Sequence, residues 1–215
     1  SSKLHVLTIK NSRYTSKNFT FLGVIMNTER EWFKTCLKNN ELVSKLKKIK
    51  LVISDVDGAQ TDGRIYFPEG DGEVKGFSVQ DGFLTARSND LNIAFLSGRE
   101  SKSTQARALK LGIPNELCKQ NYGSGKEPAI KEMQKNTAAT KEETLFFGDD
   151  VLDLESKPFV SLFAAPENGL FYVTHFADII VPRKGGHGAF RLLLDLILFV
   201  QNKHLAQKYI QEAVK

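Results

Sequence analysis

The stretch Lys50-Leu51-Val52-Ile53-Ser54-Asp55-Val56-Asp57-Gly58 constrains the fold more than any other part of the chain. A short β-rich apolar run between lysine and aspartate reads as a buried central strand of an α/β sheet. It ends in two carboxylates one residue apart, which start from the same face of the strand, roughly 7 Å apart at about 3.3 Å per residue. Gly58 follows at once and permits a sharp turn or the close approach of a ligand. Ligands in open α/β sheets bind outside the carboxyl ends of strands, where this pair sits. Two anions so close repel unless a positive charge lies between them or one is protonated. A hard divalent cation held by oxygen ligands, Mg²⁺ above all, resolves the conflict. The plain alternative is a turn in which both aspartates cap the next segment, so the rest of the chain has to decide.

At 215 residues with 41% hydrophobic content, the chain suits one domain with a sizeable core. A formal charge of +5 with its lysines dispersed favours anionic partners only weakly. Nucleic acid is not expected without a basic stripe carrying interleaved aromatics. Cys36 and Cys118 form no CxxC motif and no paired framework, which fits reduced thiols in a cytoplasm. The apolar run at 19–26 is too short to span a bilayer and lacks a following small-residue cleavage pattern. The expectation is a soluble cytoplasmic protein.

Residues 1–25 show no clear period and receive no role, and the functional chain is expected to begin near Met26, with Thr28 and Glu31 in capping-box spacing. A helical extension over 26–49 carries one amphipathic helix at 29–48, its apolar set being Trp32, Phe33, Leu37, Leu42, Val43 and Leu46. The main domain is expected over 50–202 and a polar, mobile tail over 203–215. After the first strand, the runs at 64–67 and 73–77 around Gly70-Asp71-Gly72 read as a β-hairpin. The short stretch between the aspartate pair and the next helix, near Asp81-Gly82, leaves no room for a cap domain. Further strands are expected at 93–97, 116–118, 144–147, 160–164 and 178–181, with helices from Ser101 or Ser103 to Leu111 and from Pro128 to about Lys135. Such alternation marks a doubly wound, mostly parallel, Rossmann-like sheet. A strongly apolar helix from Ala189 to about Asn202 belongs in the core or in a subunit interface.

Strand ends in one parallel sheet lie close together, so Asp55 and Asp57, Ser97, Lys126, and Asp149 with Asp150 are able to converge. Carboxylates, a hydroxyl and an ammonium suit a phosphoryl group. Asp55 and Asp149 with a backbone carbonyl offer a Mg²⁺ site, while Ser97 donates to a phosphate oxygen and Lys126 offsets charge.

Asp55-x-Asp57-Gly58, Ser97 ending a strand, Lys126 before a helix and Gly148-Asp149-Asp150-x-x-Asp153 resemble, in order, the four motifs of the haloacid dehalogenase superfamily. The resemblance implies that Asp55 is a nucleophile forming an aspartyl phosphate. Asp57 would protonate the leaving alcohol and then activate water. Mg²⁺ would rest on Asp55, Asp57 and Asp149, with Asp150 and Asp153 in support. More narrowly, Thr61-Asp62-Gly63-Arg64-Ile65-Tyr66, Phe77-Ser78-Val79-Gln80-Asp81-Gly82, Ser97-Gly98-Arg99 and Gly185-Gly186-His187-Gly188-Ala189 resemble the capless 3-deoxy-D-manno-octulosonate 8-phosphate (Kdo-8-phosphate) phosphatases over about 48–200. That likeness implies a phosphosugar substrate touched by Arg99, Arg107, Gly98 and Thr61. It also implies a homotetramer assembled through the hairpin, in which a neighbouring subunit covers the site. Placed on one helix, Arg99 and Arg107 would lie about 12 Å apart along its axis.

Three departures bear on substrate identity: Ala59-Gln60 beside the nucleophile, His187 in place of an arginine, and an atypical loop before Lys126. A loop histidine with a structural part is the plainer reading of His187. Two competing functions remain: a nonulosonate 9-phosphate phosphatase, against which Arg99 speaks, and a non-catalytic oligomerisation domain, against which the retained Asp55 and Asp57 speak. Gly123-Ser124-Gly125-Lys126 is no P-loop, since Gln120 and Glu127 occupy the required glycine and Ser/Thr positions.

Overall fold

The computed structural model describes residues 28–69, 72–87 and 91–215. The segment 1–25, a start at Met26 and the Gly70-Asp71 half of the expected turn lie outside the described residues.

Six parallel strands form one sheet: β1 (Leu51–Ser54), β2 (Asn92–Leu96), β3 (Cys118–Lys119), β4 (Thr144–Phe147), β5 (Leu162–Pro166) and β6 (Ile179–Val181). Their spatial order is β3-β2-β1-β4-β5-β6. From β1 the chain winds outward to β3, then returns to β4 beside β1 and winds the other way. The switch point therefore lies between β1 and β4, where Leu51 to Ser54 pair in parallel with Thr144 to Phe147. A crevice at the carboxyl ends is expected there, as is burial of the central strands on both faces. Every residue of β1 and β4 is buried.

Phe146 and Phe147 are adjacent on β4 and so point to opposite faces. Phe147 packs on Phe190, ring centroids 5.6 Å apart, while Lys126 lies 5.3 Å over the Phe146 ring. Helix α7 (Ala189–Val200), which carries Phe190, thus covers one face, and α5 (Glu127–Thr137), whose N-cap is Lys126, covers the other. The α7 helix is a core helix: Phe190, Leu193, Leu194, Leu196 and Ile197 have no exposed surface. Between β2 and β3, α4 (Lys102–Leu111) is capped by Ser101, which accepts from the Ser103 N–H, and stopped by left-handed Gly112.

Four expectations are corrected. The single helix at 29–48 is two helices, α1 (Thr28–Lys38) and α2 (Asn40–Leu46), because the Asn39 side chain turns back to accept from the Leu42 N–H at 3.1 Å. Both belong to the main body. Trp32 donates to Ile180 O at 2.8 Å, and the Gln201 amide donates to Leu46 O and Ile49 O at the end of α2. The tail at 203–215 is not a mobile polar segment. His204 is buried and bonded to Asp195 at 2.8 Å, and α8 (Gln207–Ala213) follows with Ile210 and Val214 against the core. Among the described residues the hairpin reduces to one antiparallel bridge, Tyr66 with Val74, and α3 (Val79–Thr85) begins two residues earlier than expected. Pro68 lacks an N–H to extend the ladder, and the flanking glycines weaken it. Finally, Arg99 precedes α4, so helical spacing does not relate it to Arg107. Among the described residues, no helix is long and apolar enough to cross a membrane.

Candidate active site

The sheet delivers its acidic residues to the switch point. The Asp55 N–H donates to Phe147 O at 2.8 Å, extending the β1–β4 ladder by one bond and fixing where the Asp55 side chain leaves the sheet. Past β4, Asp149 and Asp150 donate their N–H groups to Asp153 Oδ2 at 2.9 and 3.0 Å. This Asp153 lock turns the loop so that Asp149 faces Asp55. Carboxylate oxygens of Asp55, Asp149 and Asp153 lie within 4.8 Å of one another. Lys126 reaches in from the start of α5, its Nζ 2.9 Å from Asp55 Oδ1 and 2.5 Å from Asp153 Oδ1.

Three carboxylates face one ammonium, so negative charge is in excess. Burial, then the charge of Asp153, pushes the Asp55 carboxyl up to about 7 against the pull of Lys126. Burial, then the charges of Asp55 and Asp153, pushes Asp149 up to about 8. Burial pulls Lys126 downward, but Asp55 and Asp153 outweigh it and raise its pKa. At an effective dielectric of about 20, two unit charges about 5 Å apart repel by roughly 3 kcal/mol. The cluster therefore holds protons unless a cation replaces them. Among the described residues, no hydrogen-bond partner reaches the buried Asp149 Oδ1. Gly58, at φ +95°, lies so close that a Cβ there would fall within the Asp149 carboxylate. Hard anionic oxygens, one of them unpartnered in a buried site, suit a hard divalent cation.

The remaining expected residues are placed as follows. Ser97 is buried; its hydroxyl oxygen accepts from the Arg99 N–H at 3.2 Å. Gly98 abuts Gly123, where the loop before Lys126 passes. Thr61 Oγ1 accepts from the Gly58 and Gly63 N–H groups and donates to Val56 O, so it shapes the Asp57-Gly58 turn from within. Asp150 accepts from the Val151 N–H and starts the 3-10 turns that carry Asp153. Arg99 is exposed and pairs with Glu73 at 3.1 Å. Arg107 donates to Ser78 O at 2.7 Å beside Phe77, so its guanidinium is engaged within its own chain. The Asp57 carboxylate lies outside the three-carboxylate cluster and is held instead by Lys75, at 2.8 and 2.9 Å.

The two unusual positions are accounted for. The Gln60 amide donates to Ser54 Oγ at 2.9 Å, and Ser54 donates to Asp55 O at 2.6 Å, which braces the end of β1. His187 Nδ1 meets Gly185 O at 2.9 Å within its loop. That loop borders a cleft of about 390 Å³ that also touches Asp62, Tyr66 and Phe77. Sequence reasoning missed Lys75 and Asp81. Asp81 is buried and accepts from the Gly188 and Arg191 N–H groups at 3.1 and 2.8 Å, capping α7 from another element. Its sequence signal is its place in the 77–82 stretch that carries the family resemblance, which does not disclose the capping part.

Asp-x-Asp-Gly at the end of β1, a hydroxyl after β2, a lysine at a helix start and an acidic loop after β4 define the haloacid dehalogenase class. No protein-family model matches the chain. It is 35% identical over 161 residues to the 3-deoxy-D-manno-octulosonate 8-phosphate phosphatase of Haemophilus influenzae, covering 74% of this chain and 88% of that protein. The structure of the enzyme of that name from Yersinia pestis matches with a TM-score of 0.72 at 32% identity, over 76% of this chain and 88% of that one. The Moraxella catarrhalis enzyme, in complex with magnesium, phosphate and Kdo, matches with a TM-score of 0.72 at 30% identity, over 82% and 99%. This chain belongs to the Kdo-8-phosphate phosphatase family.

Proposed function

We propose that the protein is a Mg²⁺-dependent phosphatase that hydrolyses Kdo-8-phosphate to Kdo and inorganic phosphate. The observation that carries this reading is the unpartnered Asp149 oxygen facing Asp55 in a buried cluster with surplus negative charge. Family membership and a relative holding magnesium, phosphate and Kdo support the substrate. Asp55 and Asp149, with the Asp57 main-chain carbonyl, would hold the cation, while Asp153 is engaged by Lys126 and by the Asp149 and Asp150 N–H groups. Bound there, Mg²⁺ supplies Lewis-acid stabilisation of phosphoryl oxygens and relieves carboxylate repulsion.

Asp55 attacks phosphorus, and the sugar hydroxyl leaves with a proton from Asp57. Asp57 then takes a proton from the water that attacks the aspartyl phosphate, releasing phosphate and freeing Asp55. Lys126 keeps the Asp55 carboxylate charged and oriented, and Ser97 donates its hydroxyl hydrogen to a phosphoryl oxygen. Arg99 lies nearest solvent among the expected substrate contacts and suits the sugar carboxylate.

We further read the protein as a cytoplasmic homotetramer assembled through the segment around the Tyr66–Val74 bridge. Exposed Tyr66, Phe67, Val74 and Val79 in that region and two unpaired buried cysteines support this. Light scattering after gel filtration reads the assembly, and a monomer at micromolar concentration refutes it.

Phosphate release measured with Kdo-8-phosphate and a nonulosonate 9-phosphate in parallel tests the function. Turnover of the octulosonate that needs Mg²⁺ and vanishes in D55N is expected. Equal rates on both sugars would undo the substrate assignment, and wild-type-like turnover by D55N would undo the mechanism.

A further inference from the structure

We propose that Lys75 is a positioning residue that clamps the Asp57 carboxylate for proton transfer, and that Glu73 ties this clamp to Arg99. The inference rests on the phosphatase reading and adds to it two residues outside the four motifs.

The segment after the Tyr66–Val74 bridge presents an inverted pattern. Val74 is 49% exposed, whereas the neighbouring Lys75 side chain has no exposed surface. A strand-like run packed on a core normally turns its apolar residue inward and its charge outward. Inversion of that kind marks a site where function overrides the local rule. An ammonium buried without partners is costly, so its partners reveal what it is for.

Those partners are two carboxylates. Lys75 Nζ lies 2.8 and 2.9 Å from the two oxygens of Asp57 and 3.5 Å from Glu73 Oε1. Asp57 retains 21% exposure of its side chain, so it faces both the lysine and the open side of the site. Hydrogen-bonded at Oδ2 and ion-paired with the same ammonium, the Asp57 carboxylate is held apart from the cluster of Asp55, Asp149 and Asp153, and its Oδ1 makes no hydrogen bond among the described residues. Released, it would be free to swing to the cation as a further ligand and be lost to proton transfer. Glu73 completes the arrangement. Its other oxygen pairs with Arg99 at 3.1 Å, and its main-chain carbonyl accepts from Ser103 Oγ at 3.2 Å. The charges therefore alternate from Arg99 through Glu73 and Lys75 to Asp57, from the solvent edge inward.

Positioning a proton donor matters only when the leaving group needs a proton. A sugar alkoxide is a poor leaving group and needs Asp57, whereas p-nitrophenolate leaves without help. General acid catalysis contributes typically 10²–10⁴-fold, so imperfect placement is expected to lose about 10–100-fold on the sugar phosphate. In K75M, kcat/KM for Kdo-8-phosphate should fall by that factor and kcat/KM for p-nitrophenyl phosphate by about 3-fold or less. Parallel losses on both substrates would reduce Lys75 to a structural residue and overturn the proposal. In the D57N background, K75M should add no further loss on the sugar phosphate, and multiplicative losses would also overturn it. E73Q leaves the Lys75–Asp57 pair in place and covers the case in which K75M does not fold. Its ratio of aryl to sugar rates should rise by a smaller factor, and an unchanged ratio counts against the clamp. Wild-type turnover of both substrates is the control: its absence fails the phosphatase reading, whereas equal losses in variants of an active enzyme fail the clamp alone.

Discussion

The acidic cluster leads to a trade-off that one substitution exposes. Asp149 has a buried oxygen with no partner, and its carboxyl is pushed up to about 8 from an ordinary value of 3.8. A folded pKa above the unfolded one stabilises the fold fully below the unfolded value. That contribution is lost as pH rises through the folded value. At pH 7 the unfolded chain ionises Asp149 freely while the folded chain does not. The difference spans about 3 pH units, or about 4 kcal/mol at 1.36 kcal/mol per unit, and relaxation of the site reduces it to about 2 kcal/mol. D149N removes that penalty and forfeits no hydrogen bond of the Asp149 Oδ1 atom. Metal-free D149N should therefore melt higher than metal-free wild type at pH 7, by about 4–8 °C for a chain of this size.

Calorimetry of chelator-treated protein from pH 4.5 to 8.5 provides the assay. Wild-type Tm should fall with rising pH across the window between the unfolded and raised folded values of Asp55 and Asp149, and D149N should flatten that fall. Saturating Mg²⁺ reverses the ranking: at about 100 times its Kd it adds about 2.7 kcal/mol to wild type and little to D149N. A metal-free D149N that melts lower than wild type, or that gains as much from Mg²⁺, would refute the charge-excess account.

Three further outcomes follow from single contacts. G58A forces a side chain into φ +95° and a methyl group into the Asp149 carboxylate, so it should cost about 1–2 kcal/mol and weaken Mg²⁺ binding tenfold or more by titration calorimetry; unchanged affinity would contradict the packing. D81A removes the acceptor for the Gly188 and Arg191 N–H groups at the start of α7 and should lower urea stability by about 1–3 kcal/mol. L194A empties a fully buried position on α7 and should cost about 2–5 kcal/mol with the denaturant slope unchanged.

The strands were legible where a short apolar run stands between polar residues. The run at 144–147 is β4 to the residue, because a strand buried on both faces leaves no alternation to misread. Helix breaks were less so. Asn39 and Asn40 are polar on any helical face, and only the turn of the Asn39 side chain onto the Leu42 N–H splits α1 from α2. The tail's polar composition argues for mobility, yet His204 on Asp195 and the packing of Ile210 and Val214 on the core anchor it. The four acidic and basic motifs announced the cluster because strand ends of one parallel sheet must converge. Lys75 stayed hidden for the opposite reason: its burial reverses the local pattern and depends on a partner 18 residues earlier.

Glycines explain why the two loops of the site meet as they do. At Gly58 a Cβ would strike the Asp149 carboxylate, and at Gly148 it would strike that of Asp153. At Gly185 it would enter the Gly58 carbonyl, and the Gly186 N–H donates to Ala59 O at 3.1 Å. The loop after β1 is thus wedged between the acidic loop after β4 and the loop before α7, whose far end Asp81 secures. Such tight backbone contact leaves the carboxylates little room to move apart and relieve their repulsion. Charge excess in the site is consequently a property of the fold, and a bound cation is its most direct remedy.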